Sequence, residues 1–173
     1  MILKSFMVEN NIALLEKCRH VLMYGENDGI KEDIKNIIKE KNKNSEMIVL
    51  FQDEILENKN ILSEQINNSS LFNSKRIIFL HEVTDKSFVQ IKECLENKKE
   101  DIKVYIFSPI LEKKSKIRNH FEKDAELGVI PCYQDNERTL ANYINLKLKG
   151  YKGLSPQIVS FIISNSSLDR KII

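Results

Sequence analysis

The sequence predicts an α/β fold, in which a mostly parallel sheet is followed by the start of a small helical domain. Short apolar runs alternate with amphipathic segments of helical period, which is the pattern of parallel strands joined by helices. After Pro131 the strand pattern ends and only helical segments follow. The chain has 173 residues, which is enough for one domain and a piece of a second. We therefore expect an α/β domain over residues 1–135 and an incomplete helical domain over residues 136–173.

Five apolar runs with polar flanks predict the strands. Four of them are continuous rather than alternating in hydrophobicity, so we expect strands buried on both faces of the sheet. The fifth run is weaker. The predicted strands are residues 20–24, 47–51, 76–81, 103–108 and 128–132.

The segments between and after these strands have helical period. In the first of them Ile30, Ile34, Ile37 and Ile38 share one face, with charged residues opposite. Gly150 is a suitable stop for the helix before it, and a further helix is expected from Ser155-Pro156, with the start of another at Leu168. The predicted helices are residues 29–43, 60–67, 85–97, 113–124 and 136–149.

Composition excludes several classes of protein. The 27 basic and 25 acidic residues nearly balance, whereas a dedicated nucleic-acid binder carries an excess of basic residues on one face. Cys18, Cys94 and Cys132 are scattered, so we expect reduced, buried thiols, and the three histidines lack metal-ligand spacing. No signal peptide and no run of roughly 20 apolar residues is present. We expect a cytoplasmic protein with no metal and no membrane segment.

The loop after the first strand occupies the place of a phosphate-binding loop. Gly25, Gly29 and Lys31 resemble the pattern G-x-x-x-x-G-K-[ST], but the spacing is one residue short and Glu32 replaces the hydroxyl residue. Glu26 and Asp28 also add negative charge where phosphates would bind. We interpret this loop as an acidic turn at a helix N-terminus rather than a working nucleotide site.

Two other strand ends fit that interpretation. His81 stands where a metal-holding Asp would precede Glu82, so hydrolysis is expected to be disabled. Ser108 ends the fourth strand, where such folds place a polar residue that senses the γ-phosphate, but we expect it to cap the strand end instead. The sequence thus predicts the frame of an NTPase with a degenerate ATPase site, no catalytic residue and no cofactor.

Two large apolar residues, Leu71 and Phe72, lie in a polar stretch just before a predicted buried strand. Turns of this kind lie at the surface, so these side chains are either tucked underneath or offered to a partner. Ser70 and Asn73 flank the pair. The residues alone leave both interpretations open.

The chain resembles the delta subunit of the bacterial DNA polymerase III clamp loader. Loose motifs in matching order and spacing carry the resemblance over nearly the whole chain, while the family's C-terminal collar domain is absent from it. The matching stretches are residues 23–26, 70–72, 76–78, 108–116, 140–144, 153–156 and 165–170.

The resemblance implies an AAA+-like fold without ATPase activity, in an accessory subunit of a DNA polymerase holoenzyme. It implies binding to the ring-shaped sliding clamp and to other clamp-loader subunits during DNA replication. In the family a Leu-Phe pair is a hydrophobic plug for a pocket on the clamp, and Leu71 and Phe72 match it, with Ser70 and Asn73 framing it.

Other interpretations stay open beside the resemblance. The basic run from Lys113 to Arg118 invites contact with the DNA backbone, but we expect a solvated helix face and at most an indirect role for DNA. An enzyme, either a divergent P-loop NTPase or a nucleotide kinase, would depend on Gly25, Gly29 and Lys31. A flavodoxin-like or receiver-like signalling domain fits the alternating pattern but does not account for the helical second domain.

Overall fold

A computed structural model describes residues 1–67, 75–96 and 99–173. Within that part of the chain five parallel strands form one sheet, in the order β2-β3-β4-β1-β5. The strands are β1 (Val21–Tyr24), β2 (Glu46–Phe51), β3 (Arg76–His81), β4 (Ile102–Ser108) and β5 (Gly128–Pro131). All five agree with the predicted strands to within one residue at each end.

Helices connect the strands and continue after the sheet, as predicted. The α-helices are α1 (Ser5–Asn10), α2 (Asp28–Lys41), α3 (Gln52–Glu57), α4 (Ile61–Asn67), α5 (Phe88–Leu95), α6 (Lys116–Lys123), α7 (Glu137–Lys147) and α8 (Pro156–Asn165). Three further turns are 3₁₀-helical: Ile12–Lys17, Asp85–Ser87 and Arg170–Ile172. The predicted start of a helix at Leu168 is therefore only the last of these short turns.

The sheet is covered on both faces, because alternate residues of its central strands enter two separate cores. Leu22 and Tyr24 of β1 belong to a core formed with α3, α4, α5 and α6. Val21 and Met23 belong to a second core formed with α1, α2 and the 3₁₀ turn between α1 and β1. This arrangement confirms the predicted α/β class, and the continuous apolar runs of β1, β3 and β4 follow from it.

The predicted burial of the second strand is wrong. Among the described residues strand β2 pairs with β3 alone and lies at the edge of the sheet. Val49 and Phe51 on it are 44% and 50% exposed. An apolar run of this length does not distinguish a central strand from an edge strand. The burial of a strand's two faces and of its edge depends on which other elements pack against it.

Two helices and a turn were not predicted. Helices α1 and α3 and the turn Ile12–Lys17 each have six residues, which is less than two helical turns and too short to show a clear period. The predicted helix at residues 85–97 begins instead as a 3₁₀ turn, because the Thr84 hydroxyl accepts a hydrogen bond from Lys86 N.

Side-chain caps define the helices that follow the sheet. At the start of α7 Asn136 Oδ1 accepts a hydrogen bond from Thr139 N (2.9 Å), and Thr139 Oγ1 accepts one from Asn136 N (3.0 Å). Gly150 has a φ of +102°, as expected for a residue that ends a helix, and Ser155 caps α8 with Pro156 in its first turn. The turn Arg170–Ile172 then returns to pack against α2. The boundary between two domains at residues 135 and 136 stays a prediction.

Candidate functional site

A cleft of about 500 Å³ opens at the carboxyl ends of β1, β3 and β4. In open parallel sheets this edge, beside the strand where the order reverses, is the usual place for ligands. Here the order reverses at β1, whose neighbours are β4 and β5. The cleft is lined by Gly25, Glu26, Asp28, Lys31, Glu32, His81, Glu82, Phe107, Ser108, Pro109, Ile110 and Lys171.

The loop between β1 and α2 forms the floor of the cleft and is tightly packed. Gly25 has a φ of +133°, and a Cβ atom there would lie 2.2 Å from the carbonyl oxygen of Cys132. Asn27 caps α2 by accepting a hydrogen bond from Ile30 N (3.0 Å). Position 25 therefore needs glycine for packing, independently of any ligand.

Lys31 lines the cleft from the α2 side and is fully engaged by the protein itself. Lys31 is 8% exposed, and its Nζ donates to Gly25 O (2.9 Å) and to Ser108 O (3.1 Å). It also pairs with Asp28 Oδ1 at 2.7 Å. An ammonium group has three N–H donors, so these three acceptors use all of them. Lys31 thus ties the loop to the end of β4 and has no donor left for a phosphate.

The charge of the lining favours cations. Four acidic side chains stand against the two basic ones, Lys31 and Lys171. The hydrogen bond from Lys31 holds the pKa of Asp28 below its ordinary value, so Asp28 is ionised at neutral pH. Its carboxylate lies in the first turn of α2, where a bound phosphate would otherwise use the positive end of the helix. These features repel a nucleotide's phosphates.

His81 contributes an aromatic wall rather than a charge. Its ring stacks on Phe107 with centroids 4.7 Å apart and planes 6° from parallel, and Phe51 lies on its other side at 5.4 Å. Burial, and then the nearby ammonium group of Lys35, lower the pKa of His81 to about 4. His81 is therefore neutral at pH 7, and its Nε2 has no hydrogen-bond partner within the described residues.

Glu82 directly follows β3 and Ser108 ends β4, and the hydrogen bond from Val83 N to Phe107 O (3.1 Å) joins these two neighbouring strand ends. Glu82 has a φ of +57°, a left-handed conformation that is uncommon for glutamate and that marks functional sites more often than other places. Ser108 is 1% exposed, and within the described part of the chain its Oγ has no hydrogen-bond partner. The expected capping role of the Ser108 side chain is therefore wrong, because its hydroxyl caps none of the described residues.

A buried ion cluster beside the cleft was not predicted. Arg170 is 7% exposed and forms a bidentate pair with Asp135, Nε to Oδ2 at 2.5 Å and Nη2 to Oδ1 at 3.0 Å. It also pairs with Glu9, lies 3.7 Å from Asp33, and stacks on the ring of Tyr143 at 4.5 Å.

The cluster joins four separate parts of the sequence, so no spacing or period within the sequence reveals it. Arg170 also packs over Gly29, where a Cβ atom would lie 3.0 Å from the arginine's Cβ. Next to it Lys171 reaches Asp28 at 3.5 Å. The last turn of the chain therefore covers the N-terminus of α2, the position at which a nucleotide-binding loop would need to be open.

The predicted clamp-binding residues, Ser70, Leu71, Phe72 and Asn73, lie outside the described residues. The described residues on either side are well anchored. Arg76 Nη2 pairs with Glu46 Oε2 at 2.8 Å, and Arg76 Nη1 donates to the carbonyl oxygen of Gln65 near the end of α4.

Lys99 anchors the same helix end, because its Nζ donates to the carbonyl oxygens of Ile66 (3.0 Å) and Asn67 (3.3 Å). Both cations meet the carbonyl end of α4, where positive charge stabilises a helix. The end of α4 is thus tied to the start of β3 through Arg76, and Lys99 binds the same helix end.

The basic run at residues 113–118 is partly structural. Ser115 caps α6, and Asp85 accepts hydrogen bonds from Ser115 Oγ (2.8 Å), Lys116 N (2.9 Å) and Ile117 N (3.0 Å). Arg118 is turned inward, with its guanidinium 4.8 Å from the ring of Tyr24. Lys113 and Lys114 remain exposed to solvent.

The described residues show neither a metal centre nor a membrane span. No group of three or more His, Cys, Asp or Glu side chains among them is arranged to hold a metal ion. Within the same residues no helix has the length and apolar character to cross a bilayer. The three cysteines are buried and unpaired, as predicted.

Comparison with solved structures establishes the fold. The Bacillus subtilis DNA clamp loader delta protein is similar over 97% of this chain, with a TM-score of 0.66 and 11% sequence identity. This chain spans 56% of the length of that protein. The predicted fold class, an α/β domain with a parallel sheet followed by helices, is confirmed.

Two further solved structures share the fold less closely. A Rhizobiales Trip13 covers 94% of this chain with a TM-score of 0.53 and 11% identity, and this chain covers 66% of it. Saccharomyces cerevisiae RIF2 covers 94% with a TM-score of 0.52 and 11% identity, and this chain covers 69% of it. No protein-family model and no curated protein sequence matches the chain.

Proposed function

We propose that this protein is a non-catalytic subunit of a clamp loader of the DNA polymerase III type. It binds the ring-shaped sliding clamp and helps to open it during DNA replication. The observation that carries the proposal is the similarity of fold, over 97% of the chain, to the B. subtilis DNA clamp loader delta protein. The sequence motifs that resemble the delta family support it independently of the fold.

The cleft supports the non-catalytic part of the proposal. All three donors of Lys31 are satisfied within the protein, and the acidic lining disfavours phosphates. A nucleotide kinase or NTPase needs both a free lysine and a hydroxyl ligand for Mg²⁺ after it, and Glu32 stands at that position. An enzyme remains the alternative that a nucleotide titration tests.

Leu71 and Phe72 are the proposed contact with the clamp. Burial of one Leu and one Phe side chain contributes about 3–6 kcal/mol before the cost of ordering the segment. A few central apolar anchors carry most of the energy of a protein interface, and this pair is the proposed anchor. The anchoring of α4 and β3 by Arg76 and Lys99 supports this role, because pinned ends reduce the ordering cost.

The proposed mechanism is mechanical. Sibling subunits bind ATP and expose the Leu71 and Phe72 surface to the clamp. Binding then favours the sprung-open form of one clamp interface, because a ligand shifts an equilibrium by its difference in affinity for the two states. The other partners are the sibling subunits, and DNA takes part at most indirectly.

Surface plasmon resonance against the sliding clamp of the same organism tests the proposal. The Leu71→Ala, Phe72→Ala double variant should lose at least about 100-fold in affinity, which corresponds to about 2.7 kcal/mol. A matched control is the Leu146→Ala, Phe161→Ala double variant, since it removes the same two types of side chain from exposed positions on α7 and α8. It should bind the clamp as the wild type does.

Two results would contradict the proposal. Equal affinities for the wild type and the Leu71, Phe72 variant, with both folded by circular dichroism, would remove the proposed contact. Micromolar binding of ATP with Mg²⁺ in an equilibrium titration would restore the enzymatic alternative.

A further inference from the structure

Strand β2 presents an open backbone edge. Glu46 N donates a hydrogen bond to Lys75 O (3.0 Å), directly before β3, and so points toward that strand. Because successive residues of a strand turn their N–H and C=O groups to opposite edges, those of Met47 and Val49 point away from β3. The described part of the chain places no strand on that side. Unpaired groups of this kind are a template for a further strand.

The side chains of β2 do not protect this edge. Val49 and Phe51 are exposed, and Met47 on the same face is only partly buried against the second core. Soluble proteins usually guard an edge strand with a lysine, a proline or a bulge. Strand β2 has no lysine and no proline, and its register with β3 runs without a bulge. A regular, apolar edge such as this one is suited to pairing with another chain.

Only the middle of the edge is open, because the positions on either side are occupied. Phe51 N donates a hydrogen bond to Glu54 Oε2 (2.7 Å). At the other end Ser45 N donates one to Asn42 O (2.9 Å). An incoming strand therefore finds free donors at residues 47 and 49 and not at residues 45 and 51.

These limits select one register for an antiparallel pair of β2 strands. Met47 lies opposite Val49 of the partner subunit, and Ile48 lies on the two-fold axis. Each of the two symmetric pairs exchanges both N–H···O bonds, while the two Ile48 residues form a non-hydrogen-bonded pair. A shift by two residues in either direction would require the occupied N–H group of Ser45 or Phe51. All the central cross-strand pairs are apolar, which stabilises such a sheet.

The charges at the two ends of β2 indicate that the occupant is a second copy. Lys41 and Lys43 are exposed before the strand, whereas Asp53 and Glu57 are exposed after it. Antiparallel pairing brings the basic end of each copy toward the acidic end of the other, and parallel pairing would join like charges. A two-fold interface uses the same patch on both subunits, so this complementarity occurs twice.

We propose that two copies of this chain associate through β2, in antiparallel orientation about Ile48, so that their sheets become continuous. The proposal does not depend on the clamp contact, because it is measured on the chain alone. The interface is small, so the dimer should be weak and should depend on concentration.

Sedimentation velocity of the whole chain tests the association. The wild type should change from monomer toward dimer between about 10 and 500 µM, as expected for a small interface. Val49→Lys should weaken the association at least about tenfold, because it places a charged guard in the middle of the edge. Val89→Lys is the matched control, since Val89 is also exposed but lies on α5. It should associate as the wild type does, with all three chains folded by circular dichroism.

Disulfide formation tests the register. The Cα atoms of a non-hydrogen-bonded pair are about 4.5 Å apart, within the range of a disulfide, so Ile48→Cys should form a covalent dimer under mild oxidation. Val49 is more exposed than Ile48, but the two Val49 residues are diagonal neighbours about 7–8 Å apart. Val49→Cys should therefore form the covalent dimer more slowly, whereas random collisions would favour it.

Several results would overturn the proposal. A folded wild type that stays monomeric up to about 500 µM would remove the dimer. Equal association of the wild type and Val49→Lys would place the contact on another surface, and faster cross-linking of Val49→Cys would contradict the register. Protection of the Val49 amide from hydrogen exchange by the sliding clamp, with the chain monomeric on its own, would assign the edge to the clamp instead of a second copy.

Discussion

Removal of the Arg170 side chain should strongly destabilise the protein. Arg170 is buried, and the Arg170→Ala variant would leave Asp135 and Glu9 without their cationic partner. Burial would raise the pKa of Asp135, but hydrogen bonds from Arg170, Thr139 and Asn27 outweigh that effect and hold the pKa below its ordinary value. Breaking a buried ion pair by removing one partner costs about 3–5 kcal/mol.

The lower end of that range applies here. Asp135 keeps hydrogen bonds from Asn27 Nδ2 (2.8 Å) and Thr139 Oγ1 (2.6 Å), and Asp33 keeps Lys147 at 3.0 Å. We therefore expect a loss of about 3 kcal/mol. For a chain of this length each kcal/mol lowers the melting temperature by about 2–4 °C, so the expected decrease is about 6–12 °C.

Chemical denaturation with urea, followed by circular dichroism, gives the free energy of unfolding. Arg138→Ala is the matched control, because Arg138 is exposed on α7 and should change stability by less than about 0.5 kcal/mol. Arg170→Lys keeps the charge but loses the bidentate geometry, so its stability should fall between the other two. A loss below about 1 kcal/mol for Arg170→Ala would refute the structural role of the cluster.

Three further predictions concern pH, backbone and the cleft. His20 is buried and its Nδ1 accepts a hydrogen bond from Val104 N (3.1 Å); burial, and then Arg19, lower its pKa from 6.5 to about 4. Between pH 6.5 and 4 the unfolded chain therefore binds more protons than the folded one, so stability falls as the pH falls through that range. Through His20 the free energy of unfolding, measured by urea denaturation, should be about 1–2 kcal/mol lower at pH 5 than at neutral pH. His81 has a similarly lowered pKa of about 4 and adds its own dependence, so a His20→Asn variant should lose about half of the total. Gly25→Ala should lower the free energy of unfolding by more than about 2 kcal/mol, because the new Cβ atom meets Cys132. Gly150→Ala should lower it by less, because a Cβ atom there meets no atom within 4 Å. Similar melting temperatures for both variants would contradict the packing of the loop. Ser108→Ala should leave stability unchanged or raise it by up to about 1 kcal/mol, since it removes an unpaired buried hydroxyl, and a clear loss in calorimetry would mean that this hydroxyl has a partner.

Sequence patterns predicted those features of the fold that depend on the residues of a single strand or helix. The strands β1, β3 and β4 are continuous apolar runs, and Ile30, Ile34 and Ile38 of α2 are buried together as their spacing required. The edge position of β2 was missed, because it depends on which strands lie beside it rather than on its own residues.

The site was predictable only in part for the same reason. Gly25, Lys31 and Glu82 were identified from their position after strands, and all three line the cleft. Arg170 and Asp135 were not identified, because their contact joins residues 35 positions apart without any sequence pattern. Leu71 and Phe72 lie outside the described residues, so their role stays a prediction.

Isothermal titration calorimetry of the wild-type chain with the sliding clamp, without any nucleotide, tests the central claim most directly. The account predicts binding that is unchanged when ATP and Mg²⁺ are added, because this subunit supplies a contact surface and no nucleotide chemistry. Absence of binding by the folded chain, or binding that requires ATP, would contradict it.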